Sequence, residues 1–210
     1  MIIKWDLPTR LYHWIQALLT TLLLISGYSG DGSAIVHQAS GVLILLLLLW
    51  RVIWGFAGSQ TARFTDFLVP PRQIIHYFRG LTVNFTGHNP AGGLMVLLMI
   101  SLLLLQAMSG LLTSELSDSE SLLGRGITGW LELLHEVIPP ALTGLVTMHL
   151  TAIIIYKYKG QPLVRAMING YADSTDKQPL LQSNRRAAFV LFISTVLLTS
   201  LITVLIFLTY

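Results

Sequence analysis

The chain has 210 residues, 53% of them hydrophobic and only 11% charged, and its mean hydropathy is +0.68. So large an apolar share calls for a membrane rather than a soluble core. Lys and Arg number 13 against 10 Asp and Glu, a net charge of +3, and the absence of cysteine excludes disulfides, iron–sulfur clusters, thiolate-bound haem and covalent haem attachment.

Five apolar stretches follow one another, at 11–28, 34–56, 90–113, 131–158 and 187–210. At about 1.5 Å per residue each approaches or crosses a hydrocarbon core of roughly 30 Å. The first follows Lys4 and Arg10 as a secretory signal does, but it carries His13 and Trp14 and lacks a small-x-small cleavage site, so it is expected to stay as a helix. The turn Gly30-Asp31-Gly32-Ser33 makes the first two stretches antiparallel neighbours. In the longer loop at 57–89, Pro70-Pro71 precede a segment at 72–81 that mixes Ile74, Ile75, Tyr77 and Phe78 with Arg72, His76 and Arg79; this reads as a short interfacial helix. Asn89-Pro90 reads as an N-cap followed by proline at the first helical position. The expected fold class is an all-α integral membrane protein: a four-helix transmembrane bundle at 1–172, a polar cytoplasmic linker at 173–186 and a fifth C-terminal transmembrane helix at 187–210. In that last helix Thr195, Thr199 and Thr203 recur every fourth residue, either bonding back to their own helix or forming a helix-contact stripe.

The basic residues are distributed unevenly. Lys4, Arg10, Arg51, Arg63, Arg72, Arg79, Lys157, Lys159, Arg165, Lys177, Arg185 and Arg186 fall on one side of the predicted spans, and only Arg125 on the other. The positive-inside tendency then puts the N-terminus in the cytoplasm and the C-terminus outside a bacterial inner membrane. A pI near 9.3 therefore reflects topology, not a nucleic-acid partner; lipid is the expected surrounding. The opposite face, with Asp31, Glu115, Asp118 and Glu120, is mildly acidic.

Of six histidines, His13, His37, His135 and His149 fall inside or at the ends of spans. Ionisable groups at membrane depth are costly and face a bundle interior or a bound group. His13 lies near the inner end of its span, and His37 and His135 near outer ends. His149 comes fourteen residues after His135, a rise of about 21 Å and nearly four full turns, so the two share a helix face at opposite leaflets. Matching depths pairs His13 with His149 and His37 with His135. Two facing imidazoles suit a flat macrocycle ligated from both sides, whereas zinc would need further ligands. Glu136 points roughly 100° away from His135. Gly41, one turn after His37, either leaves room for the ring or serves helix packing.

The run Trp5-Asp6-Leu7-Pro8-Thr9-Arg10-Leu11-Tyr12-His13-Trp14, His37 opening the second span, Gly87-His88-Asn89-Pro90 opening the third and the His135/His149 spacing together resemble the superfamily of bacterial cytochrome b561 and nickel–iron hydrogenase cytochrome b subunits. The resemblance covers about residues 1–172. It implies a four-helix bundle binding two b haems through His13, His37, His135 and His149, and electron transfer between the quinone pool, ubiquinone or menaquinone, and a partner such as a periplasmic c-type cytochrome or a membrane-associated oxidoreductase. The fifth span departs from the minimal pattern of that family. Arg10 and Arg51 carry two readings, pairing with haem propionates or setting topology, and the topological one is favoured. His88 is placed to donate to a propionate or a quinone oxygen, or to shuttle a proton near neutral pH, or else is a solvated loop residue. Arg125 and Trp130 flank the outer site, where Trp130 doubles as an interfacial anchor. An alternative on the same fold is a superoxide:ubiquinone oxidoreductase, which the acidic outer loops disfavour. A haem-free transporter would call for repeat symmetry or broken helices, and neither is visible.

Overall fold

A computed structural model describes residues 2–29, 34–81, 87–116, 122–172 and 193. Helix α1 covers Leu7–Ser29, α2 Ala34–Ala57, α3 Phe64–Phe67, α4 Pro71–Phe78, α5 Pro90–Leu116, α6 Leu122–Tyr158 and α7 Leu163–Asn169. A two-residue strand β1, Ile2–Ile3, pairs antiparallel with β2, Tyr171–Ala172. The four long helices fall on the first four apolar stretches, and α4 on the interfacial segment. The turn at 30–33, the linker at 173–186 and the fifth apolar stretch, Ile193 apart, lie outside the described residues.

Among the described residues, α2, α5 and α6 are long and apolar enough to cross a membrane. Helix α1 has 23 residues but carries Arg10, His13 and Gln16, which lower its apolar character. Helix α6 starts nine residues earlier than its apolar stretch and runs unbroken through Pro139 and Pro140 over 37 residues, about 55 Å, more than a bilayer core requires.

Helix α2 packs between α1 and α5, and α5 carries α6 on its other side. Tyr12 and Leu19 of α1, Ile44, Leu48 and Trp50 of α2, Ile100 and Leu103 of α5, and Ile138 and Leu142 of α6 make one core. Leu18, Ile25, Ile53, Leu105, Val137 and Ile154 turn outward, as lipid-facing positions do. Helix α6 has no comparable packing against α1 or α2. Side chains bridge the wider gap between α6 and the α1–α2 pair, as Tyr28 Oη and Thr143 Oγ1 do at 3.2 Å, and this gap is the interhelical cleft of the bundle.

One end of this cleft is closed by the N-terminal run. Asp6 caps α1 by accepting from the Thr9 amide at 2.7 Å and also accepts from the Ser59 hydroxyl. Thr61 Oγ1 donates to the Lys4 carbonyl at 2.7 Å, and Trp54 Nε1 donates to Thr9 Oγ1 at 3.3 Å. These bonds tie α1 to the segment after α2. On the other side, the Lys4 and Trp5 amides donate to the Gly170 carbonyl, Arg10 Nη2 donates to the Ile168 carbonyl at 2.5 Å and Trp14 Nε1 to the Met167 carbonyl at 3.4 Å. Helix α7 thus holds α1 opposite the end of α6. At the base of α5, Asn89 Oδ1 accepts from the Gly92 amide at 2.6 Å, the expected N-cap. The Asn89 side-chain amide also donates to Tyr77 and Tyr156, whose hydroxyls lie 2.6 Å apart, joining α4 to α6.

Gly170 ends α7 with φ +84°, and a Cβ there would lie 2.7 Å from Arg10 Nη1 and 3.0 Å from the Trp5 carbonyl oxygen. Gly170→Ala is predicted to destabilise this closure by about 1–3 kcal/mol. A lower melting temperature of the detergent-purified protein should report it. Gly126→Ala, where a Cβ meets no atom within 4 Å, should melt like the unaltered chain.

Candidate haem-binding cleft

Each long helix other than α5 contributes histidine to the cleft. The rings of His13 on α1 and His149 on α6 have centroids 6.3 Å apart. Those of His37 on α2 and His135 on α6 are 6.2 Å apart. The two pairs are the ones that depth matching selects. Fourteen residues separate His135 from His149, and α6 stays helical between them, so one helix presents both imidazoles to the same cleft about 21 Å apart.

The spacing has a simple chemical meaning. A metal–imidazole bond of about 2 Å plus about 1.2 Å from nitrogen to ring centre gives about 6.4 Å between two rings on opposite sides of one metal. Both pairs meet that value. Among the described residues no three His, Asp or Glu side chains come together, so a tetrahedral zinc set is not built here. A Cβ at Gly41 meets no atom within 4 Å, so the missing side chain adjoins open space and not a neighbouring helix.

The rings at the His37–His135 end are held by hydroxyls. Ser26 Oγ donates to the Leu23 carbonyl at 3.2 Å, which leaves its oxygen to accept from His37 Nδ1 at 2.8 Å. Ser109 Oγ repeats the arrangement on α5: it donates to the Gln106 carbonyl at 2.9 Å and lies 3.2 Å from His135 Nδ1. The Gln106 carbonyl itself is 3.1 Å from that Nδ1. Gln106 Nε2 donates to the His135 carbonyl at 3.0 Å and also lies 3.0 Å from Nδ1. The Gln106 carbonyl and the two serine hydroxyls are acceptors for an Nδ1 proton, whereas Gln106 Nε2 is a donor beside the same atom of His135; where Nδ1 carries the proton, Nε2 keeps its lone pair. Gly110 makes the approach of His135 possible, because a Cβ there would lie 2.6 Å from Cε1 of the ring. Sequence reading passed over Ser26, Gln106, Ser109 and Gly110. The signal was present: Gln106, Ser109 and Gly110 stand at i, i+3 and i+4, a polar and small face on an otherwise apolar helix.

The other end is organised by charge. His13 Nδ1 is buried without a hydrogen-bond partner. Arg51 is 2% exposed; its Nη2 donates to the Ala62 carbonyl at 3.1 Å, its guanidinium faces the Tyr12 and Phe64 rings, and Nη1 has no partner. A buried guanidinium with a free donor suits an anion such as a carboxylate. Arg10 is committed differently, through its bond to the Ile168 carbonyl. His88 packs between Trp5 and Phe67 at centroid distances of 4.5 and 4.8 Å. Burial, reinforced by the Arg51 and Lys4 charges, pushes its imidazole down to about 3, so it is neutral at pH 7 and does not exchange protons near neutrality. Trp130 is largely exposed, and the Arg125 side chain lies outside the described residues.

A family described as prokaryotic cytochrome b561 matches residues 4–170, from the N-terminal run to the end of α7. A probable Ni/Fe-hydrogenase B-type cytochrome subunit of Rhizobium leguminosarum bv. viciae is 29% identical over 136 residues, 50% of this chain and 56% of that protein. The like-named protein of Azotobacter chroococcum mcd 1 is 29% identical over 119 residues, 43% of this chain and 49% of its own. A probable Ni/Fe-hydrogenase 1 B-type cytochrome subunit of Escherichia coli (strain K12) is 27% identical over 82 residues, 31% of this chain and 34% of its own. The matches thus span about half or less of these relatives. No solved structure matches the chain. With the family match running through all four long helices, the chain belongs to the prokaryotic cytochrome b561 family.

Proposed function

We propose that the chain holds two b haems in its cleft, one between His13 and His149 and one between His37 and His135, and carries electrons across the membrane. The observation that carries this reading is the approach of the two imidazole pairs at 6.3 and 6.2 Å across an otherwise sparsely packed cleft. Haem b bound between two histidines supplies a one-electron carrier whose iron has no coordination site left for substrate.

The protein's own contribution is placement. Helix α6 sets the two sites about 21 Å apart, one toward each leaflet. Ser26, Ser109 and the Gln106 carbonyl hold Nδ1–H of the ligands at one end. Gly41 leaves space beside His37, and the free Nη1 of Arg51 is available to a propionate. Arg10 serves by closing α1 onto α7. His88, neutral and with Nδ1 unpartnered, is suited to hydrogen bonding with a propionate or quinone oxygen rather than to proton shuttling.

Helix α1 joins α2, α5 and α6 as a fourth span in this reading. Twelve of the thirteen basic residues put the N-terminus, and with it the His13–His149 site, on the cytoplasmic side. One exchange partner is a membrane quinone, ubiquinone or menaquinone. The other is a redox protein at the outer face: a hydrogenase, as the names of the relatives suggest, or a periplasmic c-type cytochrome.

His37→Ala and His13→Ala are each predicted to lose about one of two haems, from opposite ends, measured by pyridine haemochrome on detergent-purified protein. Loss of both haems in either variant, or of neither, would contradict the two-site assignment. Gly110→Ala should broaden or deplete only the haem that His37→Ala removes, because the new methyl group displaces the His135 ring. Gly129→Ala, where a Cβ meets no atom within 4 Å, should leave both haem bands as they were.

A further inference from the structure

The two imidazole pairs are not equivalent in what lies behind them. At the His37–His135 end, both Nδ1 atoms have hydrogen-bond partners supplied by α1 and α5: Ser26 Oγ at 2.8 Å from His37, and Gln106 Nε2, the Gln106 carbonyl and Ser109 Oγ at 3.0, 3.1 and 3.2 Å from His135. Each serine hydroxyl also reaches a carbonyl three residues back as a donor, which leaves its oxygen able to accept from the imidazole. At the His13–His149 end, His13 Nδ1 is buried without a partner. A buried cation takes the place of these acceptors. Arg51 lies fourteen residues after His37 on α2, about 21 Å along the helix, which brings it to the level of the other pair. Its guanidinium is 5.8 Å from the ring of Tyr12, the residue preceding His13.

Both differences act in one direction. An N–H donated away from an imidazole makes the metal-bound nitrogen more basic and favours the ferric state. A nearby positive charge disfavours the ferric state, which carries one more positive charge than the ferrous. We infer that Ser26, Ser109 and the Gln106 carbonyl, by accepting Nδ1–H, hold the haem of the His37–His135 pair at the lower potential, while Arg51 raises that of the His13–His149 pair. Bound haem would supply a one-electron couple at each pair, and the residues behind the ligands would set the two potentials apart. Ser26, Ser109 and Gln106 are positioning residues here, since none reaches the iron.

The inference rests on the two-haem reading proposed above, and a redox titration of the α-band separates the two. Wild type should titrate in two steps, the lower removed by His37→Ala and the upper by His13→Ala. Ser26→Ala and Ser109→Ala should each keep two haems and move only the lower step upward, by about tenfold in the reduction equilibrium, or about 59 mV for one electron. Ser26→Thr, which retains the hydroxyl, should restore the original midpoint. Serine variants that leave the lower step in place or move the upper one overturn the inference, as does removal of the upper step by His37→Ala. A haem count other than two in the unaltered protein instead overturns the reading beneath it.

Discussion

Polar imidazoles at membrane depth are the constraint from which the rest of this molecule follows. In an apolar bundle such a ring is costly unless its nitrogens are engaged. Here four rings approach in two pairs across a cleft, with two of the Nδ1 atoms already bound from behind. The ring centroids of each pair stand at the separation that one metal spans. Helix order serves that end: α2 is buried between α1 and α5, while α6 packs mainly on α5 and meets α1 and α2 more sparsely.

The closure at the N-terminus belongs to the same construction. With α6 barely packed on α1, His13 would have no fixed relation to His149 through helix packing. The bonds from Lys4, Trp5, Arg10 and Trp14 to the carbonyls of residues 167–170 supply it. They also account for the residue types in the N-terminal run. Asp6 caps α1, Pro8 sits in its first turn, Thr9 reaches Trp54 and Arg10 reaches α7. Much of the N-terminal run serves to hold α1, and with it His13, against α7.

Much of this could be read from the sequence because period and depth are simple arithmetic. The fourteen-residue interval on α6 places two histidines on one face, and the apolar stretches fix which histidines share a level. The Asn89 cap and the helix after Pro70 are local signals, and the structure has both. Other features depend on what a residue meets across space. Arg10 faces a backbone carbonyl, and His88 is enclosed by Trp5 and Phe67 and stays neutral; neither can be seen from position in the chain. Ser26 and Ser109 look like ordinary serines bonding back within their helices, and only the fold shows that their second lone pairs meet histidine. Helix α7 and the β1–β2 pair escaped notice because seven and two residues are too few for a periodic signal.

The central claim is that both imidazole pairs grip metal from two sides. Electron paramagnetic resonance of the oxidised, detergent-purified chain tests it most directly, with haem and protein quantified on the same sample. Two low-spin ferric signals, integrating together to two irons per chain and free of a high-spin component, are the predicted result. A high-spin signal of one iron per chain, or spins totalling one, would show that at least one of these pairs does not ligate haem as a pair.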